Sequence, residues 1–348
     1  MSKKRLLLLA TGGTIASQPT EEGLAPGLDG EALTDLLPSG VLGRYEITVR
    51  DILQMDSSNI QPEEWQIIAR HVFDSRTEYD GVVITHGTDT MAYTASVLSF
   101  MLQGIEVPVV LTGSQLPIEH PLSDGQENLR LALAMAESGV PGIFVAFNRK
   151  IILGTRAVKT RTTGFDAFES VNWPCVAQAS GGGLSWDQTA LPPRREAACV
   201  LRDALSPRVF LMKLTPGVDP EIFEMLLEMH YRGLIIEAFG AGGLHVVRRD
   251  LAAKLHRAAE AGVSVVVCSQ CLYEPSDFAV YEVGRRALEQ GVIQGRDMTT
   301  EAAVTKLMWA LGQTSDPEQV RRYFETSLAG EITFAPRESG PPRLAERP

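Results

Sequence analysis

Short apolar runs alternate along this chain with longer segments in which apolar residues recur every three or four positions. The runs predict buried strands in the first half of the chain, at residues 5–10, 45–50, 81–85, 107–112, 142–147 and 150–153. The helical spacing predicts helices between several of them, at residues 62–74, 90–103 and 124–138. This alternation predicts a mostly parallel sheet with helices on both faces.

The second half repeats the pattern on a smaller scale. Strands are predicted at 208–214, 233–238 and 263–268, and helices at 250–261 and 300–311. Around residues 180–196 the composition shifts to glycine, proline and charge, which is typical of a domain edge. We therefore predict a two-domain α/β fold, in which a larger N-terminal domain with a mostly parallel sheet precedes a smaller parallel α/β domain. The predicted boundaries are 1–186 for the first domain, 187–206 for a linker, 207–336 for the second domain and 337–348 for a disordered tail.

The amino-acid composition restricts the kinds of molecule that this protein is expected to bind. The 348 residues carry a formal charge of -11, and no basic face suited to a nucleic-acid backbone is apparent. The apolar run near the amino terminus is broken by Gly12 and Gly13, and no later run approaches the length that spans a membrane. We expect a cytoplasmic protein that acts on a small molecule, with neither a nucleic-acid nor a membrane partner.

The cysteines and histidines do not suggest a cofactor. Cys268 and Cys271 have C-x-x-C spacing, but no second cysteine or histidine pair accompanies them, so we expect two buried or half-buried thiols. No P-loop, G-x-G-x-x-G or G-x-S-x-G segment is present. The sequence predicts no metal and no cofactor.

Two glycine-containing segments carry the candidate chemistry. Thr11-Gly12-Gly13-Thr14 follows the first predicted strand, and His86-Gly87-Thr88-Asp89-Thr90 follows a later one; each precedes a stretch expected to begin a helix. Carboxyl ends of parallel strands meet at one crevice, where loops and helix N-termini bind ligands. A threonine hydroxyl there is a candidate nucleophile once a base accepts its proton.

Several residues are candidates to assist that threonine. Lys159 follows the strand-like run 150–153, and burial together with Arg156 and Arg161 would favour its acting as a proton acceptor, although a lysine among arginines is also typical of a solvated surface. Asp89 is suited either to bind an ammonium group or to cap the following helix. The polar loop between Thr14 and Glu31 is suited to a closing lid. Further hydroxyl residues at predicted strand ends are Ser57, Ser58 and Ser114.

Six ordered motifs, taken together, resemble the asparaginase family. They are T-G-G-T-I-A at 11–16, M-D-S-S at 55–58, T-H-G-T-D-T-M at 85–91, T-G-S-Q at 112–115, S-D-G-Q-E-N-L at 123–129 and the lysine segment 154–163. Their order and spacing match along nearly the whole chain. The segments 91–100 and 297–307 further resemble the cytoplasmic type I enzymes of that family.

The resemblance implies hydrolysis of L-asparagine to L-aspartate and ammonia through an acyl-enzyme. It implies that Thr14 is the nucleophile and that Thr88, Asp89 and Lys159 complete the catalytic set. The residues implied to bind substrate are Ser57, Ser58, Thr88, Asp89 and Ser114. In this reading Ser57 binds the α-carboxylate and Asp89 the α-ammonium, the Ser114 carbonyl contacts the amide nitrogen, and the Thr88 N–H binds the oxyanion.

One position departs from the family pattern. Many members carry a lid tyrosine that bonds the first threonine, and in the corresponding E-G-x-x-P segment this chain has Leu24. The family also implies a homodimer or homotetramer. Two alternatives remain: an asparagine sensor without turnover, and the asparaginase-like subunit of an archaeal glutamyl-tRNA amidotransferase. That subunit has an additional amino-terminal domain, whereas this chain begins close to its first strand, so the hydrolase is expected.

Overall fold

The computed structural model describes residues 3–20, 23–191, 197–278 and 282–333. The predicted disordered tail, 337–348, lies outside these ranges. So do residues 192–196 of the predicted linker and residues 21–22 of the predicted lid.

The strands and helices are numbered in chain order. The strands are β1 Lys4–Gly12, β2 Ser17–Thr20, β3 Gly23–Pro26, β4 Tyr45–Met55, β5 Gly81–Thr85, β6 Pro108–Thr112, β7 Gly142–Phe147, β8 Lys150–Leu153, β9 Ala157–Lys159, β10 Phe168–Ser170, β11 Ala177–Ser180, β12 Gly183–Trp186, β13 Val209–Lys213, β14 Gly233–Ala238, β15 Ser264–Ser269 and β16 Ile293–Gln294. The helices are α1 Gly30–Asp35, α2 Ser39–Leu42, α3 Pro62–Ser75, α4 Met91–Met101, α5 Gly125–Ala136, α6 Ile222–Glu228, α7 Leu251–Glu260, α8 Glu282–Glu289, α9 Thr300–Gln313 and α10 Pro317–Glu325. Short 3₁₀ turns lie at Thr14–Ala16, Ser57–Asn59 and Gly154–Arg156.

Within the described ranges, eight strands form the larger sheet in the order β12-β11-β8-β7-β6-β5-β1-β4. Strands β4, β1, β5, β6 and β7 are parallel, whereas β8, β11 and β12 are added antiparallel at one edge. Every residue of β5 and β6 is buried, as expected for central strands covered on both faces. The second sheet, β13-β14-β15-β16, is parallel throughout. The predicted fold class is confirmed.

The helix ends follow local sequence signals. Pro62 occupies the first turn of α3, and Gln61 and Glu64 form a reciprocal capping box there, so the predicted start is confirmed. The prediction that a helix begins after Thr14 is wrong. A three-residue 3₁₀ turn is followed instead by the antiparallel β2–β3 hairpin, because this glycine- and proline-containing stretch lacks a helical apolar period.

The two sheets share one apolar core. Helix α4 is buried on almost every side, and it packs against α9 of the second sheet, with the rings of Phe100 and Trp309 6.3 Å apart. The same cluster contains Ile84 from the first sheet and Ile235 from the second. The indole N–H of Trp309 donates to the Arg202 carbonyl (3.1 Å), so the described end of the predicted linker packs here as well. The exact domain boundaries remain predictions.

A fully buried ion pair fixes residues 326–331 to this core. The side chains of Lys306 in α9 and Glu331 are both 0% exposed, and Lys306 also donates to the Thr326 carbonyl (2.9 Å). Burial lowers the pKa of Lys306, and the Glu331 carboxylate opposes that effect. The Glu331 oxygens further accept the backbone N–H groups of Leu328 and Ala329.

Breaking this pair from one side should be costly. Lys306→Met leaves Glu331 buried without a cation, and we expect the free energy of unfolding to fall by roughly 3–5 kcal/mol. The matched control is Lys4→Met, because the Lys4–Asp80 pair is half-exposed and contributes little. Urea unfolding followed by tryptophan fluorescence compares the two. Equal midpoints for both variants would contradict the assignment of Lys306–Glu331 as a structural pair.

Candidate active site

The candidate site lies where the connections of the large sheet change direction. From β1 the chain crosses to β4 on one side, and then to β5, β6 and β7 on the other. In an open parallel sheet this switch point leaves a crevice beyond the strand carboxyl ends. Thr14 follows β1 and Thr88 follows β5, so the two threonines flank the switch point. Ser57 follows β4 and Ser114 follows β6, which places all four on adjacent strands.

Glycines allow these strand-end loops to touch. Gly13 has φ 84°, and a Cβ atom there would lie 2.3 Å from the Gly87 nitrogen. A Cβ on Gly87 would lie 2.5 Å from the Ser57 hydroxyl oxygen. Neither position has room for a side chain, because contacts this short require the backbone to shift. The loops that carry Thr14, Ser57 and Thr88 are therefore in direct contact.

Three of the predicted residues form one hydrogen-bonded cluster. The Lys159 ammonium nitrogen donates to the Thr88 hydroxyl (2.8 Å) and to Asp89 Oδ1 (2.6 Å). The Lys159 side chain is 18% exposed and that of Asp89 61%. Thr88 is buried. Lys159 reaches the cluster from β9, about 70 residues further along the chain. Its catalytic role remains a prediction.

The expected influence of the neighbouring arginines on Lys159 is wrong. Arg156 is turned into the core, where it pairs with Asp297 (2.9 Å). Arg161 pairs with Glu169 (2.7 Å) and lies 4.0 Å from Asp166. Both charges are matched locally, so the immediate charged partner of Lys159 is Asp89. The three basic residues lie close together in the sequence, but the sequence does not show that Asp297 and Glu169 pair with the two arginines.

Gln115 completes the cluster, although the sequence analysis gave it no role. Its Nε2 donates to the carbonyls of Thr162 (3.1 Å) and Gly164 (3.0 Å), which turns its oxygen towards Thr88. The Thr88 hydroxyl donates to that oxygen across 3.4 Å, a long contact. Asp124 accepts the Gln115 backbone N–H (3.0 Å). The only sequence signal was the place of Gln115 in the T-G-S-Q motif.

His86 supports the backbone next to Thr88. The ring is completely buried, and burial lowers its pKa to about 4, so it is neutral near pH 7. Nδ1 lies 2.7 Å from the Gly87 carbonyl, which can only accept, so Nδ1 carries the proton and Nε2 accepts from Thr94 (2.9 Å). Trp65 donates to the Thr94 hydroxyl (3.0 Å). In the trans peptide that joins Gly87 to Thr88, the Thr88 N–H therefore points away from His86.

The three predicted serines have different surroundings. Ser57 is buried, and its carbonyl accepts the Thr90 hydroxyl (2.7 Å). Ser58 is exposed, and its hydroxyl donates to Asp56 (2.6 Å) within the turn that follows β4. Ser114 is buried, and its hydroxyl donates to the Leu116 carbonyl. The substrate-binding roles of all three remain predictions.

The described residues contain no group of three histidine, cysteine or carboxylate side chains able to hold a metal ion. Cys268 is buried, and burial raises the pKa of its thiol to about 12, whereas Cys271 is exposed. The expectation of two buried or half-buried thiols is therefore correct only for Cys268. Among the helices in the described ranges, none is long and apolar enough to cross a membrane.

The arrangement is suited to nucleophilic chemistry on a small substrate. Thr14 is partly exposed at the start of its 3₁₀ turn, and a hydroxyl, an amine and a carboxylate lie in hydrogen-bond contact across the crevice. A nucleophile needs a route for its proton and a donor for the developing oxyanion. The Thr88 hydroxyl, Lys159 and the backbone of the 86–88 loop provide candidates for both.

Comparison with known proteins identifies the family. The family model described as Asparaginase, N-terminal matches residues 5–192, and the Glutaminase/Asparaginase C-terminal domain matches residues 208–324. The L-asparaginase of Thermococcus kodakarensis is 47% identical over 332 residues, which cover 94% of this chain and 99% of that protein. Its solved structure matches with a TM-score of 0.89 at 46% identity, covering 95% of this chain and all of that one.

Two further relatives cover nearly the whole chain. L-asparaginase 1 of Escherichia coli is 36% identical over 338 residues, covering 96% of this chain and 99% of that protein. A glutamyl-tRNA(Gln) amidotransferase subunit of Pyrococcus horikoshii is also 36% identical, covering 94% of this chain and 76% of that protein. Because family models match both halves and these relatives match nearly the whole chain, this chain belongs to the asparaginase family of amidohydrolase enzymes.

Proposed function

We propose that this enzyme hydrolyses the side-chain amide of L-asparagine to L-aspartate and ammonia, with Thr14 as the nucleophile. The observation that carries the proposal is the Lys159–Thr88–Asp89 cluster, which lies across the switch point from Thr14. The similarity to L-asparaginases over nearly the full length of both chains supports the choice of substrate.

In the proposed first step, the Thr14 hydroxyl oxygen attacks the amide carbon of the substrate side chain. The Thr14 proton passes through a water molecule to the Thr88 hydroxyl, which gives its own proton to Lys159. The Thr88 N–H donates to the oxyanion of the tetrahedral intermediate. When the carbon–nitrogen bond breaks, Lys159 returns its proton through Thr88 to the nitrogen, which leaves as ammonia. The β-aspartyl ester on Thr14 is then cleaved by water, which releases L-aspartate and restores the hydroxyl.

The cluster determines how Lys159 takes part. Its nitrogen lies within hydrogen-bond distance of both the Thr88 hydroxyl and Asp89 Oδ1, and in its neutral amine form it can accept the Thr88 proton. Asp89 Oδ1, 2.6 Å away, holds the Lys159 nitrogen in place and stabilises the ammonium group that forms when Lys159 takes up the proton. We therefore assign the base function to the Lys159–Asp89 pair acting through Thr88, and not to an isolated lysine.

Substrate selection follows from charge. Asp89 has an exposed carboxylate edge that is suited to bind the α-ammonium of a free amino acid. Ser57 would bind the α-carboxylate, and Ser114 would offer its carbonyl to the amide nitrogen. Requiring both charged groups of the amino acid favours free asparagine over an amide within a peptide. Leu24 replaces the tyrosine of many relatives, and its side chain lies outside the described part of the structure.

The alternatives make different predictions. An asparagine sensor would need no nucleophile, and an amidotransferase subunit would deliver ammonia to a partner. The stronger identity to an L-asparaginase, 47% against 36% for the amidotransferase subunit, favours the free hydrolase. Assembly as a homodimer or homotetramer and a cytoplasmic location remain predictions.

Replacing the nucleophile should abolish turnover while sparing binding. We expect Thr14→Ala to lower the rate of ammonia release from L-asparagine by at least about 10⁴-fold, because no other group can form the acyl-enzyme. A coupled ammonia assay measures the rate, and calorimetric titration measures asparagine binding. A variant that retains wild-type turnover would exclude Thr14 as the nucleophile. A wild-type chain that binds asparagine without releasing ammonia would favour the sensor or the partner-dependent subunit.

The role of Lys159 can be tested against a matched control, Lys150. Lys159→Met should lower kcat by roughly 100- to 10,000-fold, because the proton from Thr14 loses its acceptor. Lys150 makes an equally short contact, 2.6 Å, to Asp166, but it belongs to β8 and not to the cluster. Lys150→Met should leave kcat within a few fold of wild type. Near-normal turnover in Lys159→Met would show that the base has been misassigned.

A further inference from the structure

The strand that carries Lys159 is not part of the large sheet. Strand β9 has three residues and, among the described strands, pairs only with β10, in a separate two-stranded sheet. A pair of this length is marginally stable by itself, so the position of Lys159 relative to Thr88 and Asp89 depends on further contacts. Ala157 of β9 and Phe168 of β10 pack in the shared apolar core, and the turn before β9 makes additional hydrogen bonds.

Arg156, which directly precedes β9, is the anchor. Its side chain is 0% exposed. The guanidinium donates to the Gly330 carbonyl through Nε (2.7 Å), to Asp297 Oδ2 through Nη1 (2.9 Å) and to the Thr333 hydroxyl through Nη2 (3.0 Å). The Trp173 ring lies 5.4 Å from the guanidinium carbon. Each edge of the planar group is thus occupied, which a lysine could not reproduce.

Thr155, the residue before Arg156, makes a second contact with the same segment of the chain. The Thr155 hydroxyl, also fully buried, donates to the Ala329 carbonyl (3.0 Å). Gly330 has φ 81°, and a Cβ atom there would lie 2.6 Å from the Leu153 side chain, so the segment fits closely against the end of β8. Two consecutive residues before β9 are therefore bonded to the same stretch of chain.

That stretch is itself firmly held. Residues 328–333 follow α10, beyond residue 324 where the C-terminal family match ends. The Glu331 carboxylate accepts the N–H groups of Leu328 (2.8 Å) and Ala329 (2.7 Å) and pairs with Lys306 of α9. Asp297 accepts the Thr333 N–H (3.0 Å). The partner of Arg156 is a rigid part of the second half of the chain.

We propose that Arg156, docked on Asp297 and residues 328–333, is a positioning residue for Lys159. The 328–333 segment of the second half of the chain would thereby complete the geometry of a site whose other residues belong to the first half. This inference rests on the proposed role of Lys159. A displacement of about 1 Å in a reacting group can cost roughly 100-fold in rate, so the anchor should be visible in kcat.

Two variants test the anchor, each with a matched control. Arg156→Lys keeps the charge opposite Asp297 but cannot make the three-sided contact, and we expect kcat to fall roughly 10- to 100-fold with KM little changed. Thr155→Val removes a single buried hydroxyl and should lower kcat several-fold. The controls are Arg149→Lys, at an exposed ion pair with Glu127, and Thr305→Val, whose hydroxyl bonds only within α9. Both controls should retain wild-type kcat.

A double-mutant cycle separates positioning from a general loss of structure. If Arg156 acts through Lys159, Arg156→Lys should cause no further loss of kcat in a Lys159→Met background. Hydrogen exchange at the amides of residues 157–160 should also be faster in Arg156→Lys and Thr155→Val than in either control. Hydrogen exchange does not depend on turnover, so it tests the anchor even if asparagine is not the substrate.

The outcomes are distinguishable. Unchanged kcat and unchanged exchange in a folded Arg156→Lys, or in Thr155→Val if the arginine variant does not fold, would overturn the inference. A full second loss of kcat in the Lys159→Met background would overturn it as well. Absence of ammonia release by the wild type would refute the proposed function instead.

Discussion

The site depends on the close approach of two backbone loops at the switch point of the sheet. A Cβ atom on Gly13 would collide with the Gly87 backbone, and a Cβ atom on Gly87 would collide with Ser57. A side chain on Gly13 would therefore separate the loops of Thr14 and Thr88, and one on Gly87 would displace the loop of Ser57. The parallel pairing of β1 with β5, which places Ala10 opposite Thr85, determines how far each loop extends into the crevice. The positions of the two hydroxyls are thus a consequence of strand register and of the missing side chain at Gly13.

Lys159, the proposed base, comes from a distant part of the chain and is held in place by different contacts. Lys159 reaches Thr88 and Asp89 from a two-stranded element outside the large sheet. The core shared by α4 and α9 brings the second half of the chain against the turn before β9, and the buried Arg156–Asp297 ion pair joins the two. A buried ion pair of this kind contributes little net stability but is costly to break from one side. It therefore favours one relative placement of the two halves over its alternatives.

The sequence predicted the repeating parts of this fold well. The apolar runs of β5 and β6 and the capping residues of α3 carry their own local signals. The strand-end motifs drew attention to Thr14 and Thr88, whose roles remain predictions. What it could not predict depends on contacts between distant residues. The hydrogen-bond partners of Arg156 are more than 140 residues away along the chain. From the sequence alone, Arg156 was therefore interpreted as a charged neighbour of Lys159, and its contacts with Asp297 and Gly330 could not be predicted. His86 and Gln115 belong to the sequence motifs, but they act through hydrogen bonds that the spacing of residues along the chain does not predict.

We propose that Thr14 forms the covalent intermediate while Thr88 and Lys159 move its proton. The intermediate can be detected by rapid mixing with L-asparagine, acid quenching and peptide mass spectrometry. We expect the peptide that contains Thr14 to gain the mass of one aspartyl group transiently, at a rate no slower than ammonia release. An aspartyl group on the peptide containing Thr88, or release of aspartate with no adduct at any time point, would contradict it.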